Sequence, residues 1–117
     1  MHYTTVVLDL EVKRIPDPVD TAAWLRLLLQ QNGINVLESL LHEYPSPVPD
    51  EGAYTLVFIL SSSHAIIHTA PEVHWVEVTL AFCDGRDPTL IIPDIEKFYA
   101  PSKVRIQMLS GRPPGEA

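Results

Sequence analysis

The chain has 117 residues, of which 46% are apolar and 20% charged, a balance that supports one modest core and argues against disorder. Eight Lys and Arg against fifteen Asp and Glu leave a net charge of −7, which sets nucleic acid and anionic membrane surfaces aside as partners. The longest apolar run, residues 56–60, falls far short of the roughly 20 residues a membrane helix needs. Residues 1–5 carry neither the basic start nor the apolar stretch of a secretion signal, so a cytoplasmic protein is expected. A single cysteine excludes an internal disulfide framework and a multi-thiolate zinc site, and no metal is expected. That cysteine remains a candidate reactive thiol. The expectation is one α+β domain with a small-molecule site.

Residues 4–12 place Val6, Leu8, Leu10 and Val12 on one side and Thr5, Asp9 and Glu11 on the other, the period of a strand with one buried face. Asp17 then offers an N-cap, with Pro18 at the first helical position and Asp20 in the first turn. Ala22, Leu25, Leu28 and Leu29 recur at helical spacing and Gly33 is a stop, which predicts a helix over 18–32. Residues 35–44 read as a second strand, with helix as the competing reading because Leu37, Leu40 and Leu41 also fit a 3.6 period. Pro45, Pro47 and Pro49 remove three backbone donors and force a loop up to Gly52.

Residues 54–60 are apolar on both faces, the pattern of a central strand covered on two sides. Residues 75–83 alternate Val76, Val78, Leu80 and Phe82 against Trp75, Glu77, Thr79, Ala81 and Cys83, so Cys83 points away from the most apolar face. Asp87-Pro88 repeats the cap-plus-proline signal for a helix to about Tyr99. Pro93 inside it would cost about 3 kcal/mol, so a kink or a late start is expected there. Residues 103–109 alternate again, with Val104, Ile106 and Met108 inward, and the Gly/Pro-rich tail from Gly111 is expected to fray. The order β-α-β-β-β-α-β predicts a two-layer sandwich, an antiparallel sheet with two helices on one face. The other face then needs a cover, and a second copy of the chain is the simplest one.

The segment 61–72, SSSHAIIHTAPE, carries the unusual chemistry. Three serines end a strongly apolar strand, and two histidines follow four residues apart. Buried hydroxyls must find partners, so the segment is either a hydrogen-bonded polar network or a site. Metal binding by His64 and His68 lacks a supporting carboxylate or thiolate pattern. A Ser-His hydrolase lacks the Gly-x-Ser-x-Gly elbow and a clear oxyanion loop.

The same segment, with Cys83 eleven residues past Glu72, resembles the small prokaryotic class of S-adenosylmethionine decarboxylases. That pattern is roughly Glu-Ser-His-x-x-Ile-His-Thr-(Trp/Tyr)-Pro-Glu followed by a strand ending in Cys-Gly. Ser63, His64, Ile67, His68, Thr69, Pro71, Glu72 and Cys83 match it without a gap. Ser62 stands where the pattern has Glu, and Ala70 where it has an aromatic.

The resemblance implies a proenzyme that cuts itself between Ser62 and Ser63 into residues 1–62 and 63–117. A serine is needed because its oxygen is both nucleophile and leaving group. The residue left at position 63 becomes a covalent pyruvoyl group, which forms an imine with the substrate amine and takes up electrons as CO₂ leaves. His68 is implied for the processing step, Cys83 as the proton donor to the substrate carbon, and Glu72, His64 and Tyr44 for substrate contact. The implied reaction is decarboxylation of S-adenosylmethionine for spermidine synthesis by a homodimer or higher homo-oligomer. A related pyruvoyl enzyme acting on ornithine or arginine, or an uncut homologue serving as a regulatory or binding subunit, are the alternatives.

Overall fold

The alternating segments pair into a single six-stranded antiparallel sheet in a computed structural model that describes residues 1–116. The strands are β1 (Tyr3–Glu11), β2 (Val36–Tyr44), β3 (Ala53–Leu60), β4 (Ser63–Ala70), β5 (Trp75–Phe82) and β6 (Lys103–Gly111). The helices are α1 (Pro18–Gln31) and α2 (Ile92–Tyr99). Across the sheet the order is β2-β3-β4-β5-β1-β6. The expected α+β architecture, an antiparallel sheet with two helices, is the one observed. Residues 35–44 are strand rather than helix. The Ser63–Ala70 segment, which carried no element in the sequence reading, is itself a strand between β3 and β5.

Capping chemistry fixes both helices. The Asp17 carboxylate accepts from the amides of Val19 (2.8 Å) and Asp20 (3.2 Å), and Pro18 sits where no amide bond is lost. Gly33, at φ +74°, turns the chain out of α1 while its amide donates to the Gln30 carbonyl. Pro93 causes a late start rather than a kink. A 3-10 turn over Pro88–Ile91 is capped by Asp87, and α2 begins at Ile92 with Pro93 in its first turn.

The core lies between the helices and one face of the sheet. Val6, Leu8 and Leu10 from β1, Tyr54, Leu56 and Phe58 from β3, Ala65 and Ile67 from β4 and Val76, Val78 and Leu80 from β5 pack against Leu25, Leu28, Leu29 and Ile95. Trp24 of α1 stacks on Phe98 of α2 at 3.9 Å between ring centroids, which locks the helices to each other. The helices do not reach the edge strand β6, so Val104, Ile106 and Met108 lie in register with the core residues of β1 but stay exposed. The opposite face of the sheet carries no helix. β3, apolar on both sides, is therefore covered on one only, and Ile59 is 43% exposed.

Candidate active site

The β3–β4 hairpin is tight: Leu60 pairs with Ser63, leaving Ser61 and Ser62 as the turn. Two-residue hairpins favour a positive φ at their central positions. Neither turn serine supplies one. The distortion falls instead on Ser63, whose φ of +139° is a conformation L-residues seldom adopt, with a cost of order 1–3 kcal/mol. The Ser61 hydroxyl accepts from the Asn35 amide (3.2 Å) and the Ser61 amide donates to the Asn35 carbonyl (2.9 Å), so the turn is anchored to the start of β2.

Two further contacts converge on the peptide bond between Ser62 and Ser63. The Ser62 carbonyl accepts the backbone N–H of Cys83 at 2.7 Å. The Ser63 Oγ lies 3.2 Å from Nδ1 of His64. Ser62 is 4% exposed, and its hydroxyl is buried with no partner among the described residues. A short amide bond to a carbonyl oxygen draws electrons from the carbonyl carbon and stabilises negative charge that develops there. An imidazole within reach of a hydroxyl can take its proton. Cys83 brings a free, partly exposed thiol to the same corner, and Asp84 and Gly85 at positive φ carry the chain away from it. Ser62, Ser63, His64 and Cys83 are thus brought together by the hairpin and the end of β5.

His68 and Tyr44 form a second group. His68 is five residues further along β4, roughly 16 Å from Ser63 at 3.2–3.4 Å per residue. Its Nδ1 is 2.7 Å from the Thr55 hydroxyl, which is 3.0 Å from the Tyr44 hydroxyl. Tyr44 and Trp75 flank its ring edge-on, with centroids at 6.0 and 5.8 Å. Register carries a polar row through this point across all six strands: His42, Thr55, His68, Glu77, Asp9 and Arg105. The row lies on the face without helices. Glu72 belongs to neither group; it is exposed in the 3-10 turn Pro71–Val73, beyond the far end of β4.

Strand geometry also disposes of the two-histidine metal reading. Four residues along a strand separate His64 from His68 by roughly 13 Å, whereas the same spacing on a helix would bring them together. A cleft of 760 Å³ between Arg14–Pro18 and the 46–52 loop touches neither group. Thr55, Asp9 and Arg105 are members of the His68 network that sequence reasoning did not single out. Their partnership is set by cross-strand register, which no spacing along the chain reveals.

A sequence-family model described as S-adenosylmethionine decarboxylase matches residues 1–111. The chain shares its fold with the crystal structure of the adenosylmethionine decarboxylase from Aquifex aeolicus VF5, at a TM-score of 0.76 and 21% identity, over 98% of this chain and 95% of that one. No curated protein gives a significant match.

Proposed function

We propose, from the premise that this chain belongs to the S-adenosylmethionine decarboxylase family, that it cuts itself between Ser62 and Ser63 and then decarboxylates S-adenosylmethionine in the cytoplasm for spermidine synthesis. The observation that carries this reading is the Ser62–Ser63 peptide itself. Its carbonyl accepts an amide at 2.7 Å, and its serine is held in a strained conformation beside an imidazole.

The steps follow from those groups. The Ser63 hydroxyl gives its proton to an imidazole and attacks the Ser62 carbonyl carbon, while the Cys83 N–H holds the oxyanion. Collapse of the adduct breaks the C–N bond, protonates the amine of residue 63 and leaves an ester on Oγ. Removal of the Cα proton of residue 63 expels the Ser62 carboxylate. Tautomerisation and hydrolysis by one water then release ammonia and leave a ketone at position 63. Position 63 fits such a group: the strained φ is a torsion through the backbone nitrogen, so the strain goes when that nitrogen leaves. β4 stays paired to β3 and β5, so residues 1–62 and 63–117 remain one domain.

A pyruvoyl group supplies the electron sink that decarboxylation of an α-amino acid requires. The Cys83 thiol beside position 63 holds the proton destined for the substrate carbon. The acidic balance of the chain favours a cationic substrate, as the sulfonium is. His64 remains the proposed substrate contact within the chain, while Glu72 and Tyr44, which lie with His68 or beyond it, would contact the substrate only from a second copy of the chain.

His68 acts in this scheme from a second copy of the chain. Within one chain it lies too far from Ser63 to move a proton there. The sheet face on which it sits is uncovered and carries exposed Leu40, Ile59 and Leu109. A homodimer closing that face buries these residues and lets His68 of each copy approach the partner's cut site.

Denaturing mass spectrometry of purified protein, followed by CO₂ release from S-adenosylmethionine, ornithine and arginine in parallel, tests the proposal. Two fragments, a ketone on the second and release from S-adenosylmethionine alone are expected. A single intact 13.1 kDa species would identify an uncut partner subunit instead. Release from ornithine or arginine alone would reassign the substrate.

A further inference from the structure

Trp75 is held in place by a chain of contacts that nothing in the hairpin chemistry uses. Its indole N–H donates to Asp9 Oδ1 at 2.8 Å. The other Asp9 oxygen accepts from Nε (3.1 Å) and a terminal nitrogen (2.9 Å) of Arg105. The arrangement is unfavourable on its own terms. Asp9 stands directly opposite Glu77, a like-charge cross-strand pair, and such pairs disfavour a sheet. Arg105 is 73% exposed while Asp9 is 14% exposed, so the ion pair gains little from burial. What the carboxylate does achieve is to fix an indole. Trp75 faces Ala70 across the β4–β5 ladder, and the small methyl there leaves the ring room to lean toward His68.

We infer that Trp75 is a positioning residue for His68, pinned by Asp9 and Arg105, and that the three together set which imidazole nitrogen is free to transfer a proton. Thr55 occupies Nδ1 on one edge of the ring. Tyr44 and Trp75 stand against it at interplanar angles of 72° and 70°, which leaves the imidazole one orientation between two walls. Nε2 has no protein hydrogen-bond partner among the described residues. The orientation that Thr55 and the two rings impose therefore leaves Nε2 as the nitrogen available to carry a proton, on the face where the proposed function needs one. Strands β5, β1 and β6 all serve a histidine on β4. The inference rests on the proposed role of His68, but its readout does not depend on that role.

The test uses the full chain carrying Ser63→Ala, so that every sample is uncut, and reads the two ring nitrogens of His68 by long-range ¹H–¹⁵N correlation. The parent is expected to show one neutral tautomer with Nδ1 engaged. Trp75→Phe and Arg105→Gln should each give averaged nitrogen shifts from mixed tautomers. In the cleavable chain the same two changes should slow cutting on the order of tenfold, a fraction of what a positioned acid or base contributes, and move its pH profile. Unchanged His68 shifts and an unchanged pH profile in both variants would overturn the inference. Should Trp75→Phe fail to fold, Arg105→Gln decides alone, because its side chain is exposed. A parent that never cuts would sink the proposed function while leaving the tautomer result to judge this one.

Discussion

On the helix-covered face of the sheet, polar side chains complete the core from within. Thr69 donates to the Gly52 carbonyl (2.9 Å) and accepts the Tyr54 amide (3.0 Å). The Tyr54 hydroxyl donates to the Pro16 carbonyl (3.0 Å) and lies 3.1 Å from Thr21 Oγ1. The open face behaves differently. Its polar groups form a row from His42 to Arg105, yet among the described residues His42 and Glu77 have no side-chain hydrogen bond and His68 uses one ring nitrogen. The first face is closed over by the helices; the second presents an array that gains a purpose only when another surface or a substrate lies against it. That contrast is why we assign the packing to one face and propose the proton chemistry for the other, with the proposed cut site at the end of the hairpin.

The most severe way to break this division is a mixing experiment. Ser63→Ala alone should stay intact for lack of a nucleophile, and His68→Ala alone should cut about 10²-fold more slowly or worse. Co-refolded with Ser63→Ala in large excess, the His68→Ala chains should be cut at near the parental rate, because nearly every one then meets the His68 of a Ser63→Ala partner. Denaturing mass spectrometry distinguishes the two chains. If the mixture stays uncut, His68 does not serve the hairpin across an interface, and His64 beside Ser63 is the imidazole to pursue.

Cys83→Ala sharpens the comparison at the hairpin end. The contact to the Ser62 carbonyl comes from the Cys83 backbone, not its thiol. Cutting should therefore proceed at the parental rate while CO₂ release falls about 10²–10⁴-fold. Slowed cutting with normal turnover would invert the assignment.

Most of the fold was legible because its signals are local. Asp17-Pro18 and Gly33 bracket α1, and the alternation of β1, β5 and β6 needs no tertiary knowledge. β4 was hidden because both its faces mix apolar and polar residues: Ile66 shares a face with His64 and His68, and Ile67 shares one with Thr69. Of the candidate site, Ser63, His64 and Cys83 stood out as residue types at a matching spacing. The distance between Ser63 and His68 did not, because five residues mean about one and a half turns of a helix but a long span in a strand. The Asp9–Trp75–Arg105 contacts are invisible for a different reason. They join residues 66 and 96 positions apart, through a register that only the assembled sheet defines.

Ile59→Asp tests the open face as an interface. The side chain is 43% exposed but lies in an interior strand opposite Glu38, so the monomer itself should lose on the order of 1 kcal/mol. The proposed dimer should weaken by tenfold or more, about 1.4 kcal/mol, since a buried unpaired charge would replace an apolar contact. Sedimentation against concentration separates the two effects. Unchanged assembly would remove this part of the face from the interface.

The smallest effect probes the covered face, where the Tyr99 hydroxyl is not satisfied. The Tyr99 hydroxyl is buried beside Trp24 with no hydrogen-bond partner among the described residues, since the nearby Thr21 hydroxyl is engaged by Asp17 and Tyr54. Burial, more than the nearby Tyr54, holds its pKa well above the ordinary 10.0 against a weaker lowering by Thr21. Removing an unpartnered buried hydroxyl relieves a desolvation penalty, so Tyr99→Phe should leave neutral-pH stability unchanged or raise it by about 1 kcal/mol. Tyr54→Phe should lower it by a similar amount, because that hydroxyl is bonded. The pH dependence has a definite sign. Above the unfolded value of 10.0 the unfolded chain releases the Tyr99 proton while the folded chain keeps it, so stability is present below that pH and falls as pH rises toward the folded pKa. Tyr99→Phe should flatten that alkaline limb, and the remaining slope should come from Tyr54, whose pKa is also raised, mainly by burial. Urea midpoints at neutral pH and just above the ordinary tyrosine value measure both. A Tyr99→Phe chain that is less stable at neutral pH, with an alkaline limb as steep as the parent's, would mean that this hydroxyl has a partner and that the covered face is as fully satisfied at α2 as it is at β3.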